Sequence, residues 1–253
     1  MGGLTIPVGG DIVQPFTNSQ IGVNGTTTLD STAFGRIHVI GDPMSSDYTI
    51  TLPAASGGNN GKAIGFRFRQ VNGSLVRLTG ATMGGLSDRY YITGEFLVLR
   101  SNGGAYEVDA EFLRHPWFKA VLSADQTGLP DNTWVTAQYN SETDPYGIYD
   151  NSTYVVTANR PGRWEFIHHA IGGPEDANLV RVGSGLRFNT TSGGPSISNV
   201  LNFSAGNRRL LIRDVSMLSK GNTRQAVVLV DQTSGHLLDD DGSFFQGYWI
   251  GHE

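Results

Sequence analysis

The densest group of acidic side chains is a run of three aspartates, Asp239, Asp240 and Asp241, followed by Gly242. Carboxylate oxygens are the ligands that Ca²⁺ prefers, and the ion takes about six to eight of them. These aspartates are consecutive, whereas an EF-hand loop places acidic ligands at alternate positions. An Asp-Gly turn that opens a hairpin accounts for the same residues. We favour the turn, keep the three aspartates as candidate metal ligands, and predict no cofactor.

Two histidines, His168 and His169, are adjacent in a segment that alternates like a β-strand. Neighbouring side chains of a strand point to opposite faces, so the pair cannot ligate one metal ion without a bulge. The remaining histidines are scattered and show no spacing typical of a metal site. We therefore predict ordinary surface or half-buried histidines.

Alternating acids at Glu107, Asp109 and Glu111 would share one face of a continuous strand. Two carboxylates about 5–10 Å apart can hydrolyse a glycosidic bond, and a repulsive row of surface acids is the competing interpretation. The sequence contains no nucleophile elbow, no Walker loop and no dinucleotide fingerprint. We favour the surface acids and predict that the protein is not an enzyme.

Aromatic and polar side chains cluster in the loop that contains Asp144, Tyr146 and Tyr149. A flat apolar ring beside polar groups is what a sugar-binding surface needs. The same residue types also fill the cores and trimer axes of jelly rolls. The sequence therefore predicts these three residues as receptor-binding candidates.

Composition narrows the class of protein. Glycine accounts for 34 of 253 residues, cysteine is absent, and the formal net charge is -5. Abundant glycine disfavours long helices, and the absence of cysteine excludes disulfides and thiolate-bound metals. A mildly acidic, charge-poor chain is a poor candidate for nucleic-acid binding. No apolar run suits membrane insertion, and the N-terminus lacks the features of a Sec signal.

The sequence predicts an all-β chain in four parts. Residues 1–30, with scattered single aliphatics, form an N-terminal arm that anchors the protein to a particle, or else a frayed terminus. Residues 31–110 form a small β domain, hairpin-rich because alternating segments are punctuated by Asn-Gly and Gly-Gly. Residues 111–120 form a hydrophobic, locally helix-compatible connector. Residues 121–253 form a β-sandwich of about eight strands.

Two segments of the small β domain carry a resemblance. They are GDPMSSDYTITLPAASGGNNGKAIGFRF and GEFLVLRSNGGAYEV, between residues 41 and 108. Together they resemble a module of bacteriophage tail-fibre and other virion appendage proteins. This resemblance implies a structural virion component and supplies no catalytic residues.

The C-terminal half carries a second resemblance, in YDNSTYVVTANRPGRWEFIHHA and GSFFQGYWIGHE. Both segments resemble the jelly roll of the complement globular head and of tumour necrosis factor-like domains. That resemblance implies a C-terminal jelly-roll β-sandwich and a homotrimer. Residues 172–200 do not follow the pattern, and these families carry function in surface loops.

The combined expectation is a homotrimeric bacteriophage structural protein located in the virion. It would be a head or tail fibre or spike, attached through residues 1–30 to capsid, tail or baseplate proteins. The distal jelly roll would bind a host cell-surface glycan or protein. Two alternatives stay open: a capsid decoration or cementing protein without receptor binding, and a glycan-degrading tailspike.

Overall fold

The chain is all-β, as the sequence predicts. The computed structural model describes residues 17–21, 26–41, 46–70, 74–174, 181–189, 192–202, 208–231, 236–238 and 242–252. The helical segments in these ranges are two short 3₁₀ turns, Ser31–Ala33 and Gly57–Asn59. None of the helices described is long and apolar enough to cross a membrane. Two compact units divide the chain, unit 1 (Met1–Arg114) and unit 2 (His115–Glu253).

The described residues of unit 1 form nine strands in two sheets. In chain order they are β1 Thr17–Ile21, β2 Thr26–Thr28, β3 Arg36–Gly41, β4 Tyr48–Thr51, β5 Ala63–Gln70, β6 Val76–Thr79, β7 Arg89–Tyr91, β8 Phe96–Ser101 and β9 Tyr106–Phe112. The sheet orders are β1-β3-β5-β8-β9 and β2-β4-β6-β7. The first six strands alternate between the sheets and pair in parallel within each sheet. Each successive pair is therefore one rung of a two-sheet β-solenoid.

The hairpin-rich prediction is wrong for the first half of unit 1. β3 pairs in parallel with β5, and the chain between them crosses to the other sheet to form β4. Antiparallel pairing begins only where β7, β8 and β9 close the solenoid. Between β8 and β9, the side-chain oxygen of Asn102 accepts hydrogen bonds from the N–H groups of Gly104 and Ala105.

The alternation predicted for β5 is confirmed. Phe66 and Phe68 are buried between the two sheets, whereas Arg67 and Arg69 are exposed on the opposite face. The Phe68 ring stacks on Tyr91 of the facing sheet, with ring centroids 4.5 Å apart. Residues 17–21 and 26–28, part of the predicted arm, pair as β1 and β2 with the next rung.

The predicted connector, residues 111–120, is not helical. β9 runs to Phe112, and the first strand of unit 2 begins at Trp117. Pro116 lies between them and lacks the N–H that a continuing helix would need. Phe118 is buried, but Phe112 and Trp117 remain 49% and 40% exposed.

Thirteen strands are formed by the described residues of unit 2. They are β10 Trp117–Val121, β11 Gln126–Thr127, β12 Thr133–Thr136, β13 Ser141–Thr143, β14 Tyr149–Asp150, β15 Val155–Thr157, β16 Gly162–Pro174, β17 Arg181–Phe188, β18 Ile197–Asn202, β19 Arg208–Leu218, β20 Thr223–Asp231, β21 His236–Leu238 and β22 Phe244–Gly251. The front sheet has the order β13-β10-β22-β16-β19, with β21 and β11 beside one end of β16. The back sheet has the order β14-β15-β20-β17-β18, with β12 beside β20.

The strand order of unit 2 is that of a jelly roll. The eight principal strands, in chain order, are β10, β15, β16, β17, β18, β19, β20 and β22. Numbered one to eight, they give the front order 1-8-3-6 and the back order 2-7-4-5. Antiparallel strands that alternate in this way form two interlocked Greek keys. The predicted C-terminal jelly roll is thus confirmed by the connectivity of the chain itself.

The two motifs of the second resemblance meet in the structure. The guanidinium of Arg160, which is fully buried, lies 3.8 Å from the centroid of the Trp249 ring. Trp249 Nε1 donates a hydrogen bond of 3.0 Å to the carbonyl oxygen of Pro161. Gly162 has a φ of +132°, and a Cβ there would lie 2.4 Å from Gly251 O. Only glycine fits this position, which explains the Pro-Gly before the third principal strand.

Candidate functional site

The loop predicted to bind a receptor is shaped by Asp144. Its carboxylate accepts hydrogen bonds from the backbone N–H groups of Tyr146, at 3.1 Å, and Tyr149, at 2.6 Å. Both bonds are local, and they hold the loop in its turn. Asp144 therefore stabilises the conformation of this loop.

Tyr149 is a core residue, so the predicted surface role does not fit it. Its side chain is 7% exposed, and its ring stacks on Phe118 with centroids 5.2 Å apart. The hydroxyl donates a hydrogen bond of 2.8 Å to the carbonyl oxygen of Tyr139, and burial raises the pKa of Tyr149 above its ordinary value. Tyr146 is half-buried and remains the surface aromatic of the three candidates.

The predicted metal candidates Asp239, Asp240 and Asp241 lie outside the described residues. Within the ranges that the structure describes, no group of three or more acids, histidines or cysteines could hold a metal ion.

The alternating acids of β9 do not share one face, contrary to the prediction. A β-bulge opposite Val98 and Leu99 leaves Asp109 as the extra residue, so Glu107 and Glu111 point to opposite faces. Asp109 forms a 2.9 Å ion pair with Arg100. Glu111 accepts hydrogen bonds from Arg89 at 2.8 Å and from the Tyr91 hydroxyl at 2.6 Å.

His168 and His169 lie on opposite faces of β16, as predicted, but His168 is fully buried. Its ring joins the two sheets, with Nε2 2.9 Å from the Tyr139 hydroxyl and Nδ1 2.9 Å from Ser184 Oγ. Burial lowers the pKa of His168 to about 3, so the ring is neutral near pH 7. The half-buried His169 donates from Nδ1 to the carbonyl oxygen of Gly242 at 2.8 Å.

The outward face of β19 exposes apolar side chains that the sequence analysis missed. We call Leu211, Val215 and Met217 the β19 stripe; they are 57%, 44% and 45% exposed. The inward side chains of Leu210, Ile212, Asp214 and Leu218 on the same strand are buried in the sandwich. The sequence already contains the signal for this exposed face. A strand with one face in water normally alternates apolar and polar residues, whereas β19 has apolar residues on both faces.

A compact polar network interrupts this apolar face at the centre of the front sheet. The Glu165 carboxylate accepts hydrogen bonds from Arg213 Nε and, at 2.5 Å, from the Tyr248 hydroxyl. The bond from the Arg213 guanidinium holds the pKa of Glu165 below its ordinary value. The charges of Arg213 and Glu165 are therefore paired within one chain.

A pocket of about 350 Å³ lies beside this network, between β10 and β22. We call it the Trp117 pocket. Trp117 lies directly opposite Tyr248, and Lys119 lies directly opposite Gln246. The full lining comprises His115, Trp117, Phe118, Lys119, Gln246, Gly247 and Tyr248. The walls are therefore mainly aromatic and apolar, with a few polar groups between them.

Comparisons with known proteins find similarity in three-dimensional structure. No protein-family model matches the chain, and no curated protein sequence matches it. The globular domain of a zebrafish complement 1qA protein is 16% identical, covering 55% of this chain and 99% of that domain, with a TM-score of 0.39. The Eiger tumour necrosis factor of S. frugiperda is 10% identical, covering 55% and 93%, with a TM-score of 0.39. Both come from the families that the sequence motifs resembled.

Proposed function

We propose that this chain is a non-enzymatic structural subunit of a bacteriophage virion appendage, and that it forms a homotrimer through the front sheet of its jelly roll. The observation that carries the proposal is the β19 stripe. Three large apolar side chains on the outward face of an edge strand are costly to leave in water. A second copy of the same chain is the partner that we propose to cover them.

The charge at the middle of the β19 stripe is paired within the chain. Arg213 lies between Leu211 and Val215 of the β19 stripe, and its positive charge is matched by Glu165 of the same chain. An arginine that is already paired in this way adds little repulsion when an identical chain approaches the stripe. Closed cyclic symmetry buries such a face completely, whereas an open arrangement would produce filaments.

The other parts of the proposal come from unit 1 and from the sequence resemblance. The stacked rungs of the β-solenoid suit a rigid spacer, since each rung packs on its neighbour. The tail-fibre-like motifs between residues 41 and 108 support a place in a virion head or tail fibre. In this proposal residues 1–30 attach to other virion proteins, and the jelly roll is distal and contacts the host surface.

The test is the mass of the full-length chain in solution by sedimentation, compared with a variant carrying Leu211→Glu and Val215→Glu. We expect three chain masses for the natural protein and one for the variant, with the circular dichroism of a folded β protein in both. The matched control is Phe112→Glu, because Phe112 is an exposed apolar residue on a strand of unit 1. A natural chain that sediments as a monomer would refute the trimer.

A second measurement separates host binding from particle decoration. Labelled full-length trimer is incubated with host cells and with capsids or tails that lack the protein. Binding to cells supports the fibre or spike, whereas binding only to particles supports the cementing alternative.

A further inference from the structure

We propose that the outward face of one sheet of unit 1, the sheet β1-β3-β5-β8-β9, is a docking surface for an acidic segment of a different protein. We call Phe96, Phe112, Arg67 and Arg69 on this face the unit 1 patch. The inference rests on the proposed function, which makes the partner another component of the same virion. The patch belongs to unit 1, whereas the β19 stripe belongs to unit 2.

The two sheets of unit 1 present different outward faces. On the sheet β2-β4-β6-β7, the outward side chains include Thr51 directly opposite Thr79, so polar groups meet the water there. On the other sheet, Phe96 and Phe112 lie directly opposite each other and are 39% and 49% exposed. Their rings are stacked, with centroids 6.1 Å apart. Paired apolar rings on only one of the two outward faces indicate that another molecule covers this face.

The row of residues that contains these rings also carries positive charge. Val39, Arg67, Phe96 and Phe112 occupy successive strands of the sheet in direct register. Arg69 lies two positions, or roughly 7 Å, further along β5 on the same face. Both arginines are exposed, and within the part of the chain that the structure describes neither makes a hydrogen bond, an ion pair or a ring contact. The patch therefore combines an apolar platform with two guanidinium groups that a partner can bind.

The acids near the patch do not balance these charges. Asp109 and Glu111 form ion pairs with other arginines of unit 1. Glu95 is fully buried, and its carboxylate accepts hydrogen bonds from two backbone N–H groups. Glu107 lies five positions before Phe112, or about 15 Å along β9. The unit 1 patch is therefore positively charged.

Charge decides between the possible occupants of the patch. A second copy of this chain, docked patch to patch, would bring its own arginines close to Arg67 and Arg69, and like charges repel. A segment with carboxylates would instead form charge-assisted, bidentate hydrogen bonds with the guanidinium groups. Aromatic side chains and arginine are also the residue types enriched at protein interfaces. We therefore expect an acidic segment whose apolar side chains pack on Phe96 and Phe112.

The experiment titrates the full-length chain with two synthetic peptides of equal length, one alternating leucine and aspartate and the other alternating leucine and lysine. Binding is followed by the fluorescence anisotropy of a dye on the peptide, for the natural chain and for Arg67→Gln and Phe112→Ala. The matched control is Arg77→Gln, which removes one positive charge from the outward face of the other sheet, where the Arg77 side chain is 44% exposed.

We expect saturable binding of the aspartate peptide and none of the lysine peptide. Either patch variant should weaken the binding roughly tenfold, because it removes a charged hydrogen bond or an apolar contact, and Arg77→Gln should leave it unchanged. Equal binding of the two peptides, or equal affinities of the natural chain and the patch variants, would overturn the inference.

Two further measurements separate the other occupants and the proposed function from this inference. Vesicles of phosphatidylglycerol that bind the natural chain in preference to the aspartate peptide, and lose this binding in Phe112→Ala, would overturn it in favour of a membrane surface. Loss of the trimer in Phe112→Ala, measured by sedimentation, would overturn it in favour of a second copy. A natural trimer that does not bind the aspartate peptide overturns the patch and leaves the proposed trimer standing. Peptide binding by a monomeric natural chain would refute the trimer and support the patch.

Discussion

His168 should make the jelly roll sensitive to mild acid. The ring is fully buried, and burial lowers its pKa from 6.5 to about 3. Between these two values the unfolded chain binds a proton that the folded chain does not, so acid favours unfolding. The contribution of the neutral His168 ring to the free energy of unfolding is fully present above pH 6.5 and is lost as the pH falls toward 3. At about 1.4 kcal/mol per pH unit, lowering the pH to about 4.5 removes roughly 2.7 kcal/mol from the free energy of unfolding.

Urea unfolding followed by tryptophan fluorescence measures this effect in unit 2 alone. All four tryptophans, Trp117, Trp134, Trp164 and Trp249, belong to unit 2. The free energy of unfolding is determined at several pH values between about 7.5 and 4.5, at one protein concentration because self-association contributes to stability.

The matched variants are His168→Gln and His169→Gln. Glutamine can hydrogen-bond to Tyr139 and Ser184 but cannot take up a proton in this range, so its stability should depend less on pH. His169→Gln is the control for replacing a histidine of the same strand, because the His169 ring lies on the outward face of β16. Equal slopes in the natural chain and His168→Gln would refute the reasoning.

Two further predictions concern the core of unit 2. Gly247→Ala places a Cβ 2.6 and 2.8 Å from two core phenylalanine rings. It should therefore lower the free energy of unfolding by about 1–3 kcal/mol. Gly251→Ala is the control, because a Cβ at Gly251 has nothing within 4 Å and should leave the stability unchanged. Similar melting temperatures for the two variants would contradict the prediction. Asp214→Asn should cost about 3–5 kcal/mol because it leaves Arg224 buried without its carboxylate. Asp88→Asn, in the more exposed ion pair of unit 1, should lower the free energy of unfolding by less than about 1 kcal/mol. Chemical denaturation measures both losses, and equal losses for the two variants would refute the argument.

Several features of the fold could be predicted because they depend on local pattern. Alternation in β5 assigned Phe66 to the core and Arg67 to solvent, and adjacency assigned His168 and His169 to opposite faces. The Pro-Gly at residues 161–162 and the closing strand of unit 2 indicated the jelly roll. Period-two patterning and turn residues are properties of a few neighbouring positions, so a single sequence contains them.

Other features depend on partners that are distant in the chain. The pattern of β5 does not say whether its neighbour runs parallel or antiparallel, so the sequence predicts hairpins where the structure has a solenoid. The bulge at Asp109 depends on the register with β8, and it separated acids that alternate in sequence. The polar sequence neighbours of Tyr149 predict a surface position, but Phe118, far away in the chain, covers its ring.

The sequence by itself determined the all-β class, the strand faces of β5 and β16, and the jelly-roll motifs. Only the tertiary structure decided which strands pair, which acids are neutralised, and which apolar side chains stay exposed. The β19 stripe and the Trp117 pocket belong to this second group. The physical reason is that an apolar residue is buried only if another element covers it, and coverage depends on contacts between distant segments.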